Sequence, residues 1–199
     1  MKIRNKSVFI ISILIPLAVG SISALISGNM SSYTALNKPA FSPPGYIFPI
    51  VWTILYILMG ISSYIVYSSN SPNKAKALLI YGIQLFFNFC WSILFFGFNL
   101  YLLAFIWLIA LIFIIIIMIR EFYAVTPLAA YLQIPYLIWC IFAAYLNLFL
   151  FIMNWSVCES QIIFIQNKSR SSVIQQRLSL LIYICIIPAL PRPPRSPAG

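Results

Sequence analysis

The chain is 199 residues long; 63% of them are hydrophobic, 17% aromatic and only 7% charged, against about 25% charged in a soluble domain, so a soluble globular enzyme is excluded. It contains no His or Asp, and its only acids are Glu121 and Glu159, which removes most metal sites, carboxylate dyads and Ser-His-Asp constellations before any motif is sought. The formal net charge is +10, but the basic residues sit between apolar runs or in the tail, where anionic lipid and membrane orientation explain them better than nucleic acid does.

Uncharged apolar runs follow in order at residues 8–27, 46–67, 77–98, 101–119 and 127–153. Each reaches the roughly 20 residues that a spanning helix needs. At that depth every backbone N–H and C=O must pair internally, so runs of this kind become helices. A β-barrel would alternate apolar and polar residues over segments of about ten, whereas residues 112–119 are continuously apolar. The expected fold is an all-α membrane protein, a bundle of five transmembrane helices within residues 1–154. The first connection, residues 28–45, is long and rich in Asn, Ser, Gly and Pro. Residues 68–76 read as a polar turn. The link around Asn99 is only a few residues, which makes the third and fourth spans antiparallel neighbours. Residues 120–126 are expected to join the fourth span to the fifth.

Lys2, Arg4, Lys6, Lys74, Lys76 and Arg120 all fall on one side of such a chain; Lys38 falls on the other, with Lys168 and Arg170 beyond the last span. The positive-inside rule then places the amino terminus in the cytoplasm and the first loop outside, in a multi-pass protein of a bacterial cell membrane. The start also reads as a secretory signal peptide, with Ser21-Ile22-Ser23 ahead of Ala24 as the cleavage site. Gly20, Ala24 and Gly28 recur every fourth residue and favour a retained helix that packs closely in lipid. Residues 155–199 are a different text. An apolar stretch of about 13 residues is short of a span, and PRPPRSPAG reads as extended or disordered. The segment reads as appended, and no function is assigned to it. Cys90, Cys140, Cys158 and Cys185 show no C-x-x-C spacing and have no His to complete a zinc set, so they read as inert packing thiols.

Candidate functional residues lie on helical stripes. Phe48, Trp52, Tyr56 and Gly60 recur every fourth residue after the stiff Pro43-Pro44-Gly45 approach. Gln84, Asn88, Trp91 or Ser92, and Phe95 form a second stripe. Pro135, Trp139, Ala143 and Asn147 form a third, where the missing N–H of Pro135 is expected to kink the helix. Trp107 adds an indole to the fourth span. Each stripe alone is explained by helix packing or an interfacial aromatic belt. Together they suggest a pocket for a flat apolar ligand, since such pockets are mainly apolar and aromatic, with a few orienting polar groups.

Tyr33-x-x-Leu36-x-Lys38-Pro39, Phe41-x-Pro43-Pro44-Gly45 and Trp52-x-x-Leu55-Tyr56-x-x-Met59-Gly60 resemble the translocator protein family, also called TspO/MBR or tryptophan-rich sensory proteins. Gln84-x-x-x-Asn88-x-x-Trp91 and Pro135-Tyr136-x-x-Trp139-x-x-x-Ala143-x-x-Leu146-Asn147 resemble its later signatures, and the likeness covers residues 8 to 154. The resemblance implies a five-helix protein, often a homodimer, that binds porphyrins such as protoporphyrin IX as ligand and also benzodiazepine-type drugs. No resident cofactor is implied. Carried over residue by residue, Tyr33 and Pro43 would belong to a lid formed by the first loop. Trp52, Asn88, Trp91 and Ala143 would line the pocket, with Trp107 and Trp139 as neighbours. Light-dependent porphyrin breakdown in bacterial members makes Trp52 and Trp139 the candidates for any catalytic role.

There are departures. Phe41 replaces the usual Trp and loses an N–H donor. The segment LNLFLFIMNW lacks the Tyr and basic residue of the sterol pattern found in animal members. Without His there is no ligand for haem iron, so metal-free porphyrin is the expected guest. Three other functions compete with simple tetrapyrrole binding. A photochemical enzyme needs no general acid or base. A proton-coupled transporter would normally carry an ionisable residue within a span. A structural assembly partner would show no saturable ligand.

Overall fold

The structure, a computed structural model, describes residues 5–28 and 42–154. The expectations placed on Tyr33, on the rest of residues 29–41 and on residues 155–199 lie outside the described residues. The described chain is all helical: α1 (Lys6–Ser27), α2 (Ile47–Tyr67), α3 (Lys74–Ser92), α4 (Tyr101–Val125), α5 (Pro127–Tyr131) and α6 (Ile134–Met153), with a π-helical segment, Ile93–Gly97, ending α3. They make five candidate membrane spans, because α3 continues into the π segment and α5 with α6 form one span, Pro127–Met153.

Local chemistry sets the helix ends. Asn5 caps α1, its Oδ1 accepting from Ser7 N at 3.0 Å and Val8 N at 3.3 Å, which satisfies donors that a first turn leaves orphaned. Gly28 ends α1 with φ +77°, a conformation that suits residues without a Cβ. The π segment closes with Phe98 N donating to Ile93 O at 3.0 Å, and Asn99, at φ 55°, turns the chain into α4.

The expected kink is present as a break. Residues Leu132 and Gln133 leave the helix just ahead of Pro135, and Pro135 sits in the first turn of α6. Proline cannot donate to the carbonyl four residues earlier, so the ladder restarts there. The join expected over residues 120–126 is corrected: α4 runs on through Arg120 and Glu121 to Val125, and only Thr126 separates it from α5. At about 1.5 Å per residue a helix of 25 residues is about 37 Å long, longer than the roughly 30 Å hydrocarbon core. Its charged end therefore extends past the apolar layer. There Glu121 pairs with Lys76 at 2.6 Å. At the same end Asn5 N donates to Tyr64 OH at 3.4 Å. The amino end of α1, the α2–α3 link and the carboxyl end of α4 thus share one end of the bundle, as the lysine and arginine pattern requires.

Helix α1 packs on α2, α3 and the π segment; α3 packs on α4, and α4 on α5 and α6. Lipid gives helices no hydrophobic reason to associate, so close backbone approach and interhelical hydrogen bonds hold the bundle. Gly60 supplies the approach: a Cβ there would lie 2.5 Å from Ile13 Cα and 2.7 Å from Ser12 O. Ser23 Oγ donates to Phe89 O at 3.0 Å, joining α1 to α3, and Ser62 Oγ donates to Ala129 O at 2.7 Å, joining α2 to α5. The Asn147 amide, oriented by its neighbours, donates to Tyr101 O at 2.8 Å and accepts from Phe105 N at 3.2 Å, tying α6 to α4.

Candidate functional site

Helices α1 and α2 and the end of α3 enclose a cavity of about 210 Å³. From α1 it takes Gly20, Ser21 and Ala24; from α2, Phe48, Trp52 and Tyr56; from the end of α3, Ser92 and Phe96. Among the described residues, no charged side chain lines it. The small residues of α1 leave the space, and the four-residue spacing of Phe48, Trp52 and Tyr56 turns one aromatic face of α2 towards it. The expected close packing at Gly20 is specific: its missing Cβ would fall on the Tyr56 ring.

Behind Trp52 lies an aromatic cluster. Its ring stacks on Tyr56 at 5.4 Å, meets Trp91 at 5.9 Å, and stands edge-on to Tyr136 at 6.2 Å. Trp91 stacks in turn on Phe95 at 5.5 Å. Pairs of this geometry add about 0.5–1.5 kcal/mol each beyond area burial, so Trp52 is held by its neighbours rather than left to rotate.

Beneath the cluster runs a buried polar chain. Tyr56 OH donates to Asn88 Oδ1 at 2.9 Å, Asn88 Nδ2 donates to Tyr136 OH at 3.1 Å, and Tyr136 OH donates to Gln84 Oε1 at 2.9 Å. Gln84, Asn88 and Tyr136 are each at most 1% exposed. Asn88 therefore has its amide committed to two tyrosines on two other helices. Among the described residues, the buried donors left without a partner include Gln84 Nε2, Trp91 Nε1 and Trp139 Nε1. An orphaned buried donor costs about 1–3 kcal/mol, so a ligand acceptor reaching one of them would gain that much.

The remaining predicted residues are placed as follows. Trp139 meets Phe48 edge-on at 5.9 Å, close to the cavity without lining it. Ala143 is buried on α6, and Pro43 is half-buried ahead of α2; neither lines the cavity. Trp107 belongs elsewhere. It stacks on Phe87 at 4.6 Å and donates its Nε1 to Phe87 O at 2.8 Å, on the face of α3 that meets α4. Gln84, Asn88 and Trp91 occupy the adjoining, more deeply buried side of α3, and periodicity alone did not say which side Trp107 would meet. Two contributors were not singled out from sequence. Tyr136 was visible only as part of a motif. The π segment, which brings Phe96 to the cavity, has no signal within a uniformly apolar run.

No group of His, Cys, Asp or Glu able to hold a metal occurs among the described residues. The chemistry available is that of aromatic faces, hydroxyls, amides and indole N–H groups. Fold and site together define a polytopic membrane protein with a cavity between its helices lined by the aromatic rings of Phe48, Trp52, Tyr56 and Phe96. The TspO/MBR family model matches residues 12–153, and the chain belongs to that family. It is 36% identical over 145 residues to the tryptophan-rich protein TspO of Archaeoglobus fulgidus, covering 72% of this chain and 94% of that one. It is 34% identical over 156 residues to the tryptophan-rich protein TspO of Chlorobaculum tepidum, covering 75% and 99%. Similarity extends to the translocator protein of Sus scrofa, at 32% over 139 residues, covering 67% and 82%.

Proposed function

We propose that this membrane protein binds a metal-free porphyrin or related tetrapyrrole against Trp52, and serves as a sensor, carrier or scavenger of that ligand. The observation that carries the reading is the position of Trp52, half-buried on the wall of an uncharged cavity and backed by Tyr56, Trp91 and Tyr136. Large polarisable faces suit a conjugated macrocycle. At about 210 Å³ the cavity is below the roughly 300–1,000 Å³ of a drug-sized pocket, so it takes one edge of the ring and leaves the rest to what borders its mouth. The amino terminus is proposed to face the cytoplasm, which puts the cavity in the outer half of the bundle, near the carboxyl end of α1.

Tryptophan fluorescence of the purified protein tests the reading. Protoporphyrin IX should quench it saturably at micromolar concentration or below. The Trp52→Ala, Asn88→Ala double variant should bind at least tenfold more weakly, a loss of about 1.4 kcal/mol or more. Unchanged binding in that variant would exclude this cavity.

A second reading is light-dependent breakdown of the porphyrin, in which dioxygen is the net oxidant of the ring and Trp52 or Trp139 relays an electron and returns to its starting state. The contacts of Trp52 with two tyrosines and a second indole favour it. Illuminating the complex separates the two: a ring-opened product that disappears with Trp52→Phe supports breakdown, and an unchanged porphyrin supports binding alone.

A further inference from the structure

We propose that Gln84 and Tyr136, neither of which lines the cavity, set its affinity for ligand by fixing the Tyr56 phenol in place. The proposal rests on the reading of the cavity as a ligand site. With the Asn88 and Gln84 amides oriented as they are in the structure, donation runs in one direction. Asn88 Oδ1 only accepts, so Tyr56 must give it the hydroxyl hydrogen, across 2.9 Å. Asn88 Nδ2 donates to the Tyr136 oxygen across 3.1 Å, and the single hydrogen of Tyr136 then goes to Gln84 Oε1, 2.9 Å away. No member can turn round without losing the bond to the next. Gln84 thereby fixes the Tyr136 hydroxyl, Tyr136 fixes the Asn88 amide, and Asn88 fixes Tyr56.

The chain also closes on itself. The Tyr136 ring stands edge-on to Trp52, and Trp52 stacks on Tyr56, so the two aromatic walls of the cavity are held by one circuit with Gln84 as its outside anchor. At the far end the Cε2 edge of the Tyr56 ring occupies the place that a Cβ on Gly20 of α1 would take. A phenol freed from Asn88 could swing, and its ring would fill part of the cavity or open the contact with α1. Plain helix adhesion does not account for the terminus of the chain, because Gln84 Nε2 is buried with no partner and an apolar side chain of similar size would avoid that cost.

The test titrates protoporphyrin IX into the full chain, read by the shift of the porphyrin absorption band, with thermal unfolding measured on the same samples. Tyr136→Phe removes one oxygen and keeps the ring against Trp52; Gln84→Met removes the anchor. Each should bind roughly tenfold more weakly than the unaltered chain. In a Tyr56→Phe background each should add less than about twofold, because coupled residues are not additive. Should Gln84→Met not fold, Tyr136→Phe alone decides. Variants that unfold at lower temperature but bind with unchanged affinity would overturn the proposal, as would effects that simply multiply in the Tyr56→Phe background. Absence of saturable binding by the unaltered chain would instead overturn the ligand site, and this proposal with it.

Discussion

Tyr56 of α2 and Asn88 of α3 share a 2.9 Å hydrogen bond, fully buried and 32 residues apart in sequence. It joins the wall of the cavity to the polar interior of the bundle. Asn88 also donates to Tyr136, so one amide serves three helices. Replacing Asn88 with Leu strands the Tyr56 hydroxyl and leaves Tyr136 with Gln84 alone. We expect the variant to lose about 1–3 kcal/mol of stability, measured by unfolding in detergent or by reversible unfolding in bicelles, and to lose porphyrin binding in parallel.

Two glycines make a matched pair for testing the packing. Gly60→Ala would drive a Cβ onto the α1 backbone at 2.5 Å from Ile13 Cα, and backbone cannot rotate away. A loss of about 1–3 kcal/mol is expected, the usual range for overpacking. Gly82, also helical, has nothing within 4 Å of its would-be Cβ. Gly82→Ala should therefore be neutral or stabilising by up to about 1 kcal/mol. Equal effects at the two positions would contradict the close approach of α1 and α2.

The ion pair of Lys76 and Glu121 looks strong at 2.6 Å, but the Lys76 side chain is 65% exposed. Exposed pairs contribute about 0–1 kcal/mol. Glu121→Gln should shift the unfolding midpoint little, and the shift should shrink further in high salt. A large loss at high salt would mean that the carboxylate sits in a drier setting than its exposure indicates.

Trp107 separates site from scaffold. Its indole N–H is committed to Phe87 O at 2.8 Å, away from the cavity. Trp107→Phe should cost about 0.5–1.5 kcal/mol of stability for the lost hydrogen bond and leave porphyrin affinity within about twofold of the unaltered chain. A large loss of affinity with intact folding would place the ligand on the α3–α4 side instead.

Much of this architecture was legible in the residues. The spans followed from uncharged length, and the break near Pro135 followed from its missing N–H. The face carrying Phe48, Trp52 and Tyr56 followed from helical spacing. What was not legible required knowing the neighbour. Arg120 and Glu121 looked like the start of a loop because charge is excluded from lipid, yet the helix simply outlasts the apolar layer. Gly20 and Ala24 signalled close packing, but not that a phenol ring would be what they meet. Asn88 was recognisable as a polar group at depth, which leaves open whether its amide faces a ligand or another helix; two tyrosine hydroxyls occupy it. The indole of Trp107 carried the same sequence signal as that of Trp91, and only the turn of α4 against α3 sends it to Phe87.

The five tryptophans of the chain permit the most direct test of where the ligand sits. Indole N–H resonances of nitrogen-15-labelled protein can be followed while protoporphyrin IX is added, because the ring current of a macrocycle shifts protons lying over or beside it. The account predicts saturable shifts that are largest for Trp52 and Trp91, smaller for Trp139 and least for Trp107. Shifts centred on Trp107, with Trp52 unmoved at saturation, would contradict it.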